Sequence, residues 1–270
     1  MPDEKNTVVI GSAEQFWHVK TRRDFLRVLG IGGTAVLLPS VFGACDDDDE
    51  PIGPGGGGAV TLDLSSEFGI LNYAFALEQL EAGFYEAVVA SPAFAGMNTE
   101  LKEVFTDLRN HEVIHREFFR QIIPASARIG NLAFNMTALT ASLASAATIL
   151  KTSETFEDLG VSAYNGAGKY LTTPANLLLA GKIVSVEARH AAAIRDIRSA
   201  APYNIAGGNA RFAGDDVVNA QGLDVVLEPG SVRTRVIASG FVSTTINVTG
   251  TLPAARATPT ITEFAPPTTP

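Results

Sequence analysis

Cysteine is almost absent from this chain: Cys45 is the only one in 270 residues. That excludes a disulfide framework, an iron–sulfur cluster and a rubredoxin-type site, all of which need several thiols. Positive charge is scarce as well. Twenty lysines and arginines stand against 29 aspartates and glutamates, for a net charge of −9, and so acidic a chain is repelled by phosphate backbones, which excludes nucleic acid as a partner. The apolar stretch from Val28 to Ala44 is glycine-rich and falls short of the roughly 20 strongly apolar residues of a membrane span. Histidine is the last scarcity and the most informative, with only His18, His111, His115 and His190. Apolar residues, by contrast, make up 46% of the chain, ample for the core of one large or two small domains.

Residues 1–45 carry a targeting pattern. Paired Arg22 and Arg23, then Phe25 and Leu26, then the apolar stretch, resemble a twin-arginine export signal. Gly43-Ala44-Cys45 resembles a lipobox, whose cysteine is acylated and becomes the new N-terminus, although Phe42 stands where that motif usually has leucine. A retained membrane anchor and cleavage by an ordinary signal peptidase are the alternatives. The pattern implies the twin-arginine export machinery as a partner, a periplasmic or outer cell-envelope location, and membrane attachment through a lipid on Cys45. Chains exported folded by this route often take up a metal or cofactor beforehand, so the leader favours a cofactor without saying which.

Residues 46–64 form an acidic, glycine-rich linker with little to bury. Over residues 65–200 apolar side chains recur at alternating steps of four and three, the period of an amphipathic helix. The spacing predicts four helices. The first runs from Ser66 to about Val89, and the second from an Asn98-Thr99 cap to just before Pro124. The third runs from Ser145 to Tyr170, and the fourth from a Thr173 cap, with Pro174 in its first turn, to about Ser199. GNLAFNMTALT, between the second and third, has no period and suits a crossover connection. Residues 201–252 read as a loop-rich extension, within which SVRTRVIASGFVSTTINV is open to helix, strand or both, and 253–270 as a disordered Pro/Thr tail.

Six polar residues interrupt the apolar stripes at core positions. Glu112 and His115 occupy two places on the second helix's stripe of Leu101, Phe105, Leu108, Phe119 and Ile122. Glu187 and His190 do the same among Leu179, Ile183, Ile194 and Ile197 of the fourth helix. Glu78 breaks the stripe of the first helix and Glu157 that of the third. Residues three apart are separated by about 60° of rotation, so a Glu-x-x-His step presents both side chains on one face. Each glutamate lies roughly three to four turns from its helix ends, so a bundle brings all four to one level. Four buried, unpaired carboxylates would repel one another, each costing on the order of several kcal/mol. Two divalent cations balance them and leave the imidazoles as neutral ligands. Mixed carboxylate and imidazole ligation suits iron, manganese or zinc.

One Glu-x-x-His step is common by chance, and a lone buried pair is more often a core hydrogen bond. Two such steps at core positions, with matching glutamates on two more helices, are far more specific. Glu81 competes with Glu78 for its role, and Glu154, one turn away, competes with Glu157. His111 points off the stripe and reads as a surface residue. Tyr85 and Tyr164 fall near the site, open to a redox role or to hydrogen bonding with its ligands, with core packing and a glutamate-satisfied hydroxyl the favoured reading for both.

At these residues the chain resembles the ferritin-like di-iron carboxylate superfamily. Within it, LEQLEAGFYEA, FEDLGVSAYNGA and VEARHAAAIR resemble bacterial exported ferritin-like domain proteins related to plant desiccation-related proteins. The resemblance covers residues 65–200. It implies an all-α fold: a ferritin-like four-helix bundle with a long crossover between the second and third helices, plus an irregular C-terminal extension. It also implies a metal site of Glu78, Glu112, His115, Glu157, Glu187 and His190 holding two divalent ions, iron or manganese. Glu112 and Glu187 would bridge them, with Glu78 and His115 terminal on one and Glu157 and His190 on the other. The implied activity is oxidation–reduction with dioxygen or peroxide, ferroxidase-like or catalase-like. Missing thiols exclude a built-in rubredoxin donor, and a tethered domain with extra C-terminal sequence fits a storage cage poorly. A non-catalytic metal-binding or envelope stress-protection module is the alternative, and a metal-free bundle used for protein contacts is the third reading.

Overall fold

The computed structural model describes residues 58–203 and 212–256. The targeting pattern of residues 1–45, most of the linker and the tail beyond residue 256 lie outside the described residues. In chain order the elements are β1 (Val60–Asp63), α1 (Glu67–Ala90), α2 (Pro92–Ala95), α3 (Thr99–Ile122), α4 (Met136–Ser142), α5 (Ala146–Ala167), a 3-10 turn (Gly168–Tyr170), α6 (Pro174–Ser199), α7 (Pro229–Ser239) and β2 (Ile246–Thr249). The long helices α1, α3, α5 and α6 coincide with the four expected from spacing, and Tyr170 falls in the 3-10 turn that closes the third.

Local chemistry sets where these helices begin. Ser66 accepts a hydrogen bond from Gly69 N, Asn98 accepts one from Leu101 N, and Ser145 forms a reciprocal capping box with Thr148. Thr173 does not cap α6 with its own side chain. Glu67, in the first turn of α1, caps it instead, with a carboxylate that accepts from Thr173 N at 3.1 Å and from Asn176 Nδ2 at 2.8 Å. An anion at a helix N-terminus is favourable there, and the contact ties α1 to α6.

The long helices pack α1 on α3, α5 on α6 and α1 on α5. Tyr85 of α1 meets Glu157 of α5 while Glu78 meets Tyr164, so α1 and α5 are antiparallel. Arg120 lies over Phe75 and Arg116 pairs with Glu86, so α1 and α3 are antiparallel too. Hence α3 and α5 point the same way, and their connection must return along the bundle. Two buried amides of α1 hold it in place. Asn72 donates to Ala127 O at 2.6 Å and accepts from Ile129 N at 2.9 Å, and Gln79 accepts from Leu132 N at 2.8 Å. These side chains are buried because they satisfy backbone groups that would otherwise lie unpaired against the helix.

The crossover also contains α4, where the sequence shows no period. Seven residues begun by an Asn135 cap are too few to display one. Residues 60–63, placed in the linker by composition, form β1, which pairs in parallel with β2, Val60 opposite Ile246. The segment left open between helix and strand is both, as α7 and β2. Residues 241–243 bond to the outer edge of the crossover, with Asn135 N donating to Phe241 O at 2.7 Å and Ser243 N to Ala133 O at 2.8 Å. The C-terminal extension thus covers the bundle, and α1 is buried almost all round, from Gly69 to Tyr85. No helix among the described residues is long and apolar enough to cross a membrane.

Close approach rather than a turn explains Gly166. A Cβ there would meet Leu227 O at 1.8 Å, while Leu227 N donates to Ser162 O at 3.0 Å. Gly166→Ala must therefore push the extension off α5, at a cost of about 3 kcal/mol. For a domain of this size the thermal midpoint should fall by roughly 6–12 °C, as measured by circular dichroism. An unchanged midpoint would mean that the extension is not seated on α5.

Candidate metal centre

Each long helix contributes to one buried cluster at mid-bundle. The structure brings together all six side chains singled out in the sequence: Glu78 from α1, Glu112 and His115 from α3, Glu157 from α5, and Glu187 and His190 from α6. They form two overlapping groups. Glu78, Glu112, His115 and Glu187 each offer an atom within 4.8 Å of the others, and so do Glu112, Glu157, Glu187 and His190. Glu112 and Glu187 belong to both. All four glutamates have 0% of their surface exposed.

The imidazoles face several carboxylates at once. His115 Nδ1 lies 2.9 Å from Glu187 Oε1, 3.3 Å from Glu112 Oε2 and 3.4 Å from Glu78 Oε2. His190 Nδ1 lies 2.8 Å from Glu112 Oε1 and 3.3 Å from Glu157 Oε2. One ring nitrogen carries at most one proton, so it cannot satisfy three oxygens. Glu78 Oε2, Glu112 Oε1, Glu157 Oε2, both oxygens of Glu187, and His190 Nδ1 make no aligned hydrogen bond. Unpartnered as they are, these atoms gather into the two groups, each no more than 4.8 Å across. A cation with bonds of about 2.0–2.2 Å holds ligand atoms up to roughly 4.4 Å apart, close to the spread of each group. The donor set fits metal ions.

Protonation reflects the crowding. Burial, aided by the neighbouring Glu187 and Glu112, pushes the Glu78 and Glu157 carboxyls up to about 8. Burial opposes charge on Glu112 too, but the imidazoles on either side hold it well below the usual carboxylate range. Burial also disfavours the charged forms of His115 and His190, yet the surrounding carboxylates raise both well above an ordinary histidine.

Two tyrosines fix the terminal carboxylates. Tyr85 Oη donates to Glu157 Oε1 at 2.5 Å, and Tyr164 Oη donates to Glu78 Oε1. Each glutamate keeps its other oxygen turned into the cluster. These are the glutamate-satisfied hydroxyls expected from sequence.

The two rival glutamates separate cleanly. Glu154 forms an ion pair with Arg198 and belongs to neither group. Glu81 is buried and also belongs to neither group, but its carboxylate lies beside Gly160, where a Cβ would come within 2.8 Å of Glu81 Oε1 and 3.7 Å of Glu187 Oε2. It is a fifth carboxyl at the edge of the cluster, raised well above its ordinary range by burial and then by Glu187 and Glu112. His111 is exposed, as expected, yet it is not idle. Its ring lies edge to edge with that of His190, their planes 7° apart, and its Nδ1 lies 2.9 Å from His190 Nε2. No local pattern in the sequence signals this contact, which depends on how α3 sits against α6.

Two glutamate-histidine steps and two single glutamates converge from four helices joined by a long crossover. In agreement with that layout, the family model of the ferritin-like domain matches residues 66–200, half of the chain. The chain belongs to the ferritin-like domain family. The matched span begins at the Ser66 cap of α1 and ends just past α6, so it contains every residue of the cluster. No curated protein shows significant similarity to this ferritin-like chain. Residues 212–256 lie beyond the matched span, yet Arg195 of α6 binds both Asp158 of α5, at 2.8 Å, and Asp216 of the extension, at 2.7 Å. The ferritin-like domain and its extension therefore share an ion-pair network centred on the buried Arg195.

Proposed function

We propose that this ferritin-like domain holds a dinuclear centre of divalent ions, iron or manganese, and uses it for redox chemistry with dioxygen or peroxide, ferroxidase-like or catalase-like. The observation that carries the reading is the set of buried, unpartnered oxygen and nitrogen atoms of Glu78, Glu112, Glu157, Glu187 and His190, gathered into two overlapping groups each within 4.8 Å. Glu112 and Glu187, shared by both groups, would bridge. Glu78 with His115, and Glu157 with His190, would be terminal. Two ions side by side supply two electrons at one place, which is what reduction of a bound oxygen–oxygen bond demands.

The chain's own residues do the rest. Tyr85 and Tyr164 each occupy one oxygen of a terminal carboxylate, so that the other points inward. The four glutamates are fully buried, away from bulk water, which strengthens the charge interactions among them. The twin-arginine pattern favours a periplasmic or cell-envelope location, lipid-tethered through Cys45, and the helix motifs favour kinship with desiccation-related proteins.

The test compares the protein, isolated without chelators, with a His115→Ala, His190→Ala double variant. Elemental analysis should find about two metal ions per chain in the former, as the paired layout implies, and a large loss in the latter. Equal metal content would remove the assignment. Sustained consumption of peroxide or ferrous iron then supports catalysis. A single stoichiometric event that stops supports the non-catalytic module instead.

A further inference from the structure

The cluster follows an approximate twofold rule. On α1 Tyr85 follows Glu78 by seven residues, on α5 Tyr164 follows Glu157 by seven, and each tyrosine bonds the other helix's glutamate. Glu112 and His115 on α3 match Glu187 and His190 on α6. The rule breaks one residue before each Glu-x-x-His step, where α3 has His111 and α6 has Val186.

That break falls on His190. Its Nδ1 is turned into the cluster, 2.8 Å from Glu112 Oε1, and its Nε2 is turned outward to His111 Nδ1 at 2.9 Å. A neutral imidazole that offers Nδ1 to a cation carries its proton on Nε2, and that N–H needs an acceptor. His111 Nδ1 is placed to be one, and the 7° angle between the rings keeps the two nitrogens in register. At the matching place on α6, Val186 has no polar side-chain atom to offer.

Resting on the metal-binding reading above, we infer that His111 is a positioning residue: it accepts the His190 Nε2–H, fixes His190 in the tautomer that binds through Nδ1, and makes the two cation positions unequal, with the His190 position the tighter. A partner on the far nitrogen orients a ligating histidine and raises its basicity, and losing such a partner typically weakens metal binding about 10–100-fold. Because His111 is exposed, its replacement does not disturb the core.

The test loads the full chain stepwise with zinc, which is diamagnetic, and follows both the binding isotherm and the imidazole N–H signals by nitrogen-15 NMR. The wild-type protein should show two steps of different affinity and a slowly exchanging proton on His190 Nε2. His111→Leu should weaken one step about 10–100-fold and release that proton to fast exchange, while lowering the metal-free thermal midpoint by no more than about 2–4 °C, the loss of one hydrogen bond. His111→Asn, whose amide oxygen can accept the bond, should recover part of both. If His111→Leu leaves both affinities and the N–H signal as they were, the inference fails while the metal site stands. If the wild-type chain takes up no zinc, the metal-binding reading fails and the inference with it.

Discussion

Stripped of divalent metal, the protein should lose stability as pH rises from about 4.5 to about 8, whereas the metal-loaded protein should gain it over the same interval. The stripped curve follows from the raised carboxyls. Glu78 and Glu157 titrate near 8 in the folded chain against an ordinary value of 4.5. A group raised by folding contributes stability that is fully present below its unfolded value and lost as pH climbs through its folded one. His115 and His190, also raised, from 6.5, act in the same sense. Glu112 is held low and acts in the opposite sense, but its contribution is lost only as pH falls below 4.5, outside the window. Wherever the folded state keeps one extra proton, stability falls by about 1.4 kcal/mol per pH unit.

Cations reverse the slope because they compete with protons for the same atoms, so their affinity rises with pH. Two ions, each present at a hundred times its dissociation constant, add roughly 5 kcal/mol, or about 10–20 °C in the midpoint of a domain this size. Thermal unfolding at pH 5, 6.5 and 8, with metal and with chelator, measures the divergence. Parallel curves would show that protons and metals do not share a site.

What could be read from sequence depended on how many faces of a helix are buried. Helix α3 buries one stripe, so Glu112 and His115 stood out among Leu101, Phe105, Leu108 and Phe119, all of which are buried. Helix α1 is enclosed nearly all round, so periodicity could not rank Glu78 above Glu81, and both are buried. The choice between Glu154 and Glu157 turned on Arg198, a partner on another helix that no local pattern announces. The edge-to-edge pairing of His111 with His190 likewise depends on how α3 sits against α6. Elements β1 and α4 leave no readable signal because four and seven residues are too short to show a period. The pairing of the C-terminal extension with the crossover rests on backbone hydrogen bonds, which leave no trace in side-chain identity.

Neutralising one shared carboxylate should abolish both metal positions, while neutralising a terminal one should spare the other. Glu187 belongs to both four-residue groups and has both oxygens unpartnered, whereas Glu157 belongs only to the group that contains His190. Glu187→Gln is therefore expected to reduce about two bound ions to none, and Glu157→Gln to about one, given a paired-metal layout. Glu187 is 0% exposed, and its Oε1 lies 2.9 Å from His115 Nδ1, so its replacement removes an attraction as well as the repulsion of Glu112 and Glu157. The discriminating readout is therefore the metal-dependent part of the stability: the wild type should gain stability when metal is added, and Glu187→Gln should gain none. A purely structural glutamate would lower stability when replaced and leave both the metal count and the metal-dependent gain alone. Two ions retained in Glu187→Gln, or equal losses from Glu187→Gln and Glu157→Gln, would show that the two positions do not share a bridging carboxylate.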